Sequence, residues 1–288
     1  MRTEQEMLDT VVKIAENDER IRAVYLYGSR ANPEAEKDEF QDYDVAFVVT
    51  ETESFQADKN WFSAFGDIAV FNEGDRNNLL YLRKEDMSVL SRRCIINILF
   101  KDFISLDLII EVKEEAIKDF VTYQPAKILV DKDIFLSGII ISTDNRNAIL
   151  KPSQEVFSAC CSFFWWFMVT PAKNTARNNI PFAMSFFNSL ERQLLNQMIE
   201  WYIGVLTDFS AILGNREKYY KKYLTEELYD LYSRTYTDKD YWNIIFTACD
   251  LFHKLAFAVG THFNFAYNQQ EEDSMIQYLQ KIKNDCSK

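Results

Sequence analysis

Leu26-Tyr27-Gly28-Ser29-Arg30 is followed, after a short acidic loop, by Asp42-Tyr43-Asp44-Val45. Ahead of the glycine, Ile21-Arg22-Ala23-Val24-Tyr25-Leu26-Tyr27 is rich in β-formers and reads as a buried strand. Behind the second aspartate, Val45-Ala46-Phe47-Val48-Val49 is another apolar run. Two strands joined by a polar loop bring Ser29 and the aspartate pair to the same end of one sheet. A Gly-Ser turn leaving a strand lets the backbone approach an anion and point N–H groups at it. If the aspartates lie on a strand, both carboxylates share a face, because side chains alternate with period two. Two hard oxygen ligands on one face suit Mg²⁺ carrying phosphates. Together, turn and pair are what metal-dependent nucleotidyl transfer requires.

A third carboxylate fits the same picture. Phe103-Ile104-Ser105-Leu106-Asp107-Leu108-Ile109-Ile110-Glu111 is an apolar strand interrupted by one aspartate. Burying a lone carboxylate is costly unless it is paired or binds a metal. Ser105, Ile109 and Glu111 share its parity, so that face is mixed, and a solvated face is the competing reading. Placed beside Asp44, Asp107 completes a three-carboxylate site, as a further ligand or as the base for an attacking hydroxyl. Tyr43, between the pair, points to the opposite face and into the core.

Composition narrows the class. The 288 residues are 48% hydrophobic and 15% aromatic, which suits two modest domains or one large one. A net charge of −12 argues against a nucleic-acid substrate and suits a cationic small acceptor. The apolar run Phe163-Phe164-Trp165-Trp166-Phe167-Met168-Val169 is too short to span a bilayer, and the N-terminus lacks signal-peptide character. A cytoplasmic protein without membrane contact is expected, as a monomer or weak homodimer. The five cysteines show no metal-ligand spacing and fit a reducing compartment. The two histidines, His253 and His262, read as ordinary helix residues, which disfavours a zinc site or a Ser-His-Asp triad.

Along the chain, Thr3-Glu4-Gln5-Glu6 matches a capping box opening a helix with Met7, Leu8, Val11, Val12 and Ala15 on one stripe, closed by Asn17-Asp18-Glu19. Strands are expected at 68–71, 94–100 and 103–111, a polar loop at 72–78 and a short helix at 113–121. The texture turns polar at Ser142-Thr143-Asp144-Asn145-Arg146-Asn147, and Lys151-Pro152-Ser153 then starts a helix. Helical periodicity predicts segments at 153–169, 180–206, 225–235, 240–264 and 272–284, punctuated by Gly214-Asn215 and Tyr236-Thr237-Asp238-Lys239. The expectation is an α/β (α+β) domain with a mixed sheet at 1–147 and an all-α helical bundle at 148–288. A substrate cleft between them is expected. Lys218, Lys221 and Lys222 form a basic cluster, either a solvated helix face or a phosphate contact.

The Gly28-Ser29-Arg30 turn, Phe40-Gln41-Asp42-Tyr43-Asp44-Val45 and Leu106-Asp107-Leu108 resemble the aminoglycoside 6-adenylyltransferases, also called streptomycin adenylyltransferases. The resemblance continues through Val130-Asp131-Lys132-Asp133, Lys151-Pro152-Ser153, Met198-Ile199-Glu200-Trp201, Lys221-Lys222-Tyr223-Leu224 and Cys249-Asp250-Leu251-Phe252, nearly the whole chain. It implies a nucleotidyltransferase-fold N-terminal domain, a helical C-terminal domain, ATP as donor, Mg²⁺ as cofactor and an aminoglycoside hydroxyl as acceptor. By the resemblance, Gly28, Ser29 and Arg30 form the phosphate-binding turn, Asp42 and Asp44 the metal pair, and Asp107 the third acidic position. Lys173 and Arg177 are candidate phosphate contacts.

This chain departs from the family pattern in two places. Ser162-Phe163 stands where the family has Asn-Glu, and Arg177 is followed by Asn178-Asn179 rather than Glu. Acidic residues there would suit a polycationic drug. The same chemistry on another small acceptor, such as a lincosamide or an unknown metabolite, therefore stays open. So do modification of a protein side chain and a nucleotide-binding homologue with lost catalysis.

Overall fold

The computed structural model describes residues 2–33, 35, 37–58, 60–73, 92–139, 149–211, 213 and 217–286. The chain divides into two compact units, Met1–Asp144 and Asn145–Lys288. The polar run Ser142–Asn147, Gly214-Asn215 and most of the loop expected at 72–78 lie outside the described residues.

The first unit is built on a mixed six-stranded sheet. Its strands are β1 (Ile21–Tyr27), β2 (Tyr43–Val49), β3 (Ile68–Glu73), β4 (Arg93–Phe100), β5 (Ser105–Val112) and β6 (Lys127–Asp131), in the order β3-β4-β5-β2-β1-β6. β2 and β5 run parallel, and every other neighbouring pair is antiparallel. β6 pairs with the outer edge of β1 and was not expected from the sequence.

Each face of the sheet is covered separately. On one face sits α1 (Glu4–Asn17), with the predicted capping box formed and Met7, Val11 and Ala15 buried. A 3₁₀ segment, Asn60–Phe65, adds Phe62 and Phe65 to this core, which takes the β2 and β5 side chains Tyr43, Val45, Phe47, Leu106, Leu108 and Ile110. Tyr43 is buried there, as its parity predicts. Short helices α2 (Gly28–Ala31) and α3 (Glu53–Ala57) follow β1 and β2. The other face is covered by α4 (Lys113–Thr122), whose Ala116 and Phe120 pack with Tyr25, Ala46, Val48 and Ile109. Glu111 is fully buried on this side, so the face of β5 below Asp107 is core and not a solvated edge.

The second unit is helical. Its helices are α5 (Gln154–Phe167), α6 (Val169–Ala176), α7 (Ile180–Phe186), α8 (Arg192–Leu206), α9 (Tyr220–Tyr223), α10 (Glu226–Thr237), α11 (Tyr241–Phe263) and α12 (Gln269–Cys286). Helix α11 is its spine: Phe252 stacks on Phe164 of α5 at 3.7 Å between ring centroids. Among the described helices, α11 alone is long and apolar enough to cross a membrane, yet 61% of its most apolar window is buried within the unit. That is the pattern of a core helix, hydrophobic around most of its circumference. The helix expected at 180–206 is interrupted by a π-helical turn, Phe187–Glu191. No glycine or proline marks that break. His253 and His262 both lie on α11. Cys94, Cys160, Cys161 and Cys249 are buried cysteines outside any disulfide, and Cys286 is an exposed one.

Candidate active site

The site begins at the exit of β1. Gly28 has φ +70°, a left-handed conformation that suits glycine. A Cβ there would lie 2.1 Å from Oδ2 of Asp44 and 2.8 Å from its Cγ. Gly28 is thus both the residue that can make the turn and the space that admits the Asp44 carboxylate. The antiparallel register of β1 and β2 pairs Tyr27 with Asp44. Ser29 and Asp44 are therefore brought to one sheet end, as the sequence predicts.

Across the parallel pair, Asp44 is the register partner of Asp107. Neighbouring strands are roughly 4.8 Å apart, so two carboxylates stand side by side on one face. Both are half-buried. Asn97 on β4 is the next residue in register, and its Nδ2 donates to Asp107 Oδ1 at 2.6 Å. Asn72 on β3 continues the row and donates to Asn97 Oδ1 at 3.4 Å. The row Tyr27–Asp44–Asp107–Asn97–Asn72 crosses five strands on one face.

Asp42 lies just ahead of β2, and Oγ of Ser105 donates to its Oδ1. Ser105 shares the face of Asp107, so Asp42 stands one step further out on the same side. The three aspartates do not form a closed triad: among the described residues no group of three or more His, Cys, Asp or Glu side chains gathers closely enough to hold a metal ion. The reason is local, since Asp42 precedes the strand and its carboxylate is held by Ser105. The donor set nevertheless fits Mg²⁺, which takes carboxylate oxygens and keeps several waters.

Arg30 serves the loop that carries Asp42. Its guanidinium donates to the carbonyls of Gln41 (2.7 Å) and Asp42 (3.1 Å) and lies 3.9 Å over the Tyr43 ring. An ion pair with Glu4 at 3.5 Å ties the same group to α1. Arg30 therefore fixes the entry to β2 from beside the Gly28 turn.

A polar network backs the carboxylates. Tyr27 stacks on Tyr123 at 4.8 Å, and Arg93 Nη2 donates to the Tyr123 hydroxyl at 2.9 Å while its Nη1 pairs with Asp119 at 3.0 Å. Burial, and then the charge of Asp44, push the Tyr27 hydroxyl up and keep it protonated. Beneath it, Tyr25 donates to Glu111 at 2.8 Å, and burial raises the Glu111 carboxyl to about 8.

The remaining candidates lie in the second unit. Lys173 is exposed on α6 and Arg177 is the residue after it. Lys218, Lys221 and Lys222 are exposed around α9. Ser162 Oγ donates to Glu271 at 2.9 Å, and Phe163 is exposed beside it. Asn178 has φ +57°, a conformation asparagine tolerates better than glutamate, and Asn179 bonds back to the Asn174 carbonyl at 2.8 Å. That pair thus shapes the turn between α6 and α7.

Asn97 and Asn72 were not singled out from the sequence. The available signal was a lone asparagine inside the apolar strand Cys94–Phe100, the same signal that marked Asp107.

The streptomycin adenylyltransferase family model matches residues 1–282. An aminoglycoside 6-adenylyltransferase of Bacillus subtilis (strain 168) is 34% identical over 280 residues, covering 94% of this chain and 95% of its own. One from Campylobacter jejuni is 32% identical over 276 residues, covering 94% and 93%. A crystal structure of an aminoglycoside 6-adenyltransferase from Bacillus subtilis aligns over 98% of this chain and 99% of its own, at 30% identity and a TM-score of 0.45. By the extent of the family match and the identity to these relatives, the chain belongs to the streptomycin adenylyltransferase family.

Proposed function

We propose that this chain transfers AMP from Mg·ATP to a hydroxyl of a streptomycin-like aminoglycoside, releasing pyrophosphate. One observation carries the reading: Asp44 and Asp107 stand in register on adjacent parallel strands, against the Gly28 turn. The relatives' names give the acceptor class. The net charge of −12 favours a cationic acceptor.

In this mechanism Asp42 and Asp44 hold Mg²⁺, which when bound supplies charge neutralisation at the phosphates. The chain's own residues do the rest. The Gly28-Ser29 turn holds the β- and γ-phosphates through backbone N–H groups. Arg30 keeps the Asp42 loop in place, and Lys173 and Arg177 are further candidate phosphate contacts. Asp107, fixed by Asn97, receives the proton of the acceptor hydroxyl. The hydroxyl oxygen bonds to the α-phosphorus as the bond to the pyrophosphate oxygen breaks, in line. ATP as donor fits the cytoplasmic setting expected from the sequence.

The test is pyrophosphate release from Mg·ATP by the purified protein, with streptomycin, other aminoglycosides and lincosamides as acceptors, and mass spectrometry of the product. Release with streptomycin and a product heavier by one AMP is expected. Release with a lincosamide alone would replace the acceptor class. ATP bound without turnover on any acceptor would favour a homologue that has lost catalysis.

A further inference from the structure

The row of side chains across the sheet has two unlike ends. At one end lie Tyr27 and the Gly28 turn, whose left-handed glycine opens the backbone toward Asp44. At the other end lie Asn97 and Asn72, two neutral amides in register with Asp107. At roughly 4.8 Å per strand, Asn72 stands about 14 Å from Asp44 along the row. Asn97 is half-buried and Asn72 is exposed on the edge strand β3.

In-line displacement places the entering and leaving oxygens on opposite sides of the phosphorus. If the Gly28 turn holds the leaving pyrophosphate, as proposed above, the entering hydroxyl comes from the side of Asp107 and Asn97. The chemistry of that end agrees. An amide offers both donors and an acceptor, which suits the hydroxyl and amino groups of a sugar, whereas a triphosphate tail is better served by cations and backbone N–H groups.

We propose that Asn97 and Asn72 form the acceptor side of the site, binding a polyhydroxylated amino-sugar next to its reacting hydroxyl. Asn97 has a second duty as a positioning residue, because its 2.6 Å bond fixes the Asp107 carboxylate. Asn72 touches only Asn97 within the row, at 3.4 Å, and its role is specificity. The inference rests on the adenylyl-transfer reading and adds a direction to it.

The experiment compares the wild type with Asn72→Ala and Asn97→Leu. It records steady-state constants with streptomycin and ATP, and equilibrium ATP binding by calorimetry without acceptor. Asn72→Ala should raise the acceptor KM about threefold to tenfold, the worth of one hydrogen bond, with ATP affinity within about twofold. Asn97→Leu should raise the acceptor KM and also lower kcat, again with ATP affinity held. Weakened ATP binding with an unchanged acceptor KM, or no change in any constant, would overturn the assignment. Asn72 lies on an exposed edge strand, so its variant keeps the test standing if Asn97→Leu fails to fold. Failure of the underlying reading shows separately, as a wild type that releases no pyrophosphate with any aminoglycoside, and it would remove this polarity as well.

Discussion

Replacing Gly28 by alanine probes the closest approach in the site. Two costs arise. The backbone at φ +70° disfavours any residue with a Cβ, by about 1–2 kcal/mol. The new Cβ would also lie 2.1 Å from Asp44 Oδ2, more than 1 Å inside an ordinary carbon–oxygen contact at about 3.3 Å. Either the turn or the carboxylate must move by about that amount. The β1/β2 ladder pins the backbone of Asp44, so the carboxylate is the part that yields. A misplacement of about 1 Å costs roughly 100-fold in rate. Gly28→Ala should therefore lower kcat about 100-fold while the melting temperature falls only a few degrees. Initial rates of pyrophosphate release and a thermal melt measure both. A kcat within threefold of wild type would refute the reasoning, because it would mean that the position of Asp44 is immaterial to the rate.

Other substitutions test the surrounding parts. Ser105→Ala removes the donor that holds Asp42, and the Mg²⁺ concentration for half-maximal rate should rise at least about 10-fold; no change would remove Asp42 from the ligand set. Arg30→Met should destabilise the first unit by about 1–3 kcal/mol in chemical denaturation, and Arg30→Lys should not restore it, because one ammonium cannot both bridge two carbonyls and cover the Tyr43 ring. Glu191 is fully buried in the π-helical turn with no side-chain partner for its carboxyl among the described residues, and burial raises it from 4.5 to about 8. The folded chain thus keeps a proton that the unfolded chain loses, so wild-type stability declines as pH rises from about 4.5 through 8, by up to about 1.4 kcal/mol per pH unit. Glu191→Met should flatten that decline, and equal slopes in urea denaturation across this range would contradict it.

The parts of the site that were legible in the sequence are those set by local rules. A glycine after a strand, carboxylates at spacing two and a lone aspartate in an apolar strand each have a physical meaning without the fold. The pairing of Asp44 with Asp107 was a conjecture until the parallel register of β2 and β5 placed it. Asn97 escaped notice because a neutral amide costs less to bury than a carboxylate and so stands out less. The resemblance puts Arg30 in the phosphate-binding turn; its contacts with the Gln41 and Asp42 carbonyls, the Tyr43 ring and Glu4 are ones that only tertiary structure reveals. The π-helical turn was invisible because Phe187–Glu191 continues the helical texture on both sides. β6 was missed because its five residues, Lys127–Asp131, carry little alternation, and its place is decided by the open edge of β1.

The most direct measurement of the central claim is pyrophosphate release from Mg·ATP and streptomycin by the wild type and by Asp44→Asn. The variant keeps the side-chain size beside Gly28 and removes only the charge. If Asp44 holds the metal, the wild type turns over and the variant loses about 100-fold or more while ATP-free stability is kept. Full activity in the variant would contradict the metal site and, with it, the account of the turn and the three aspartates.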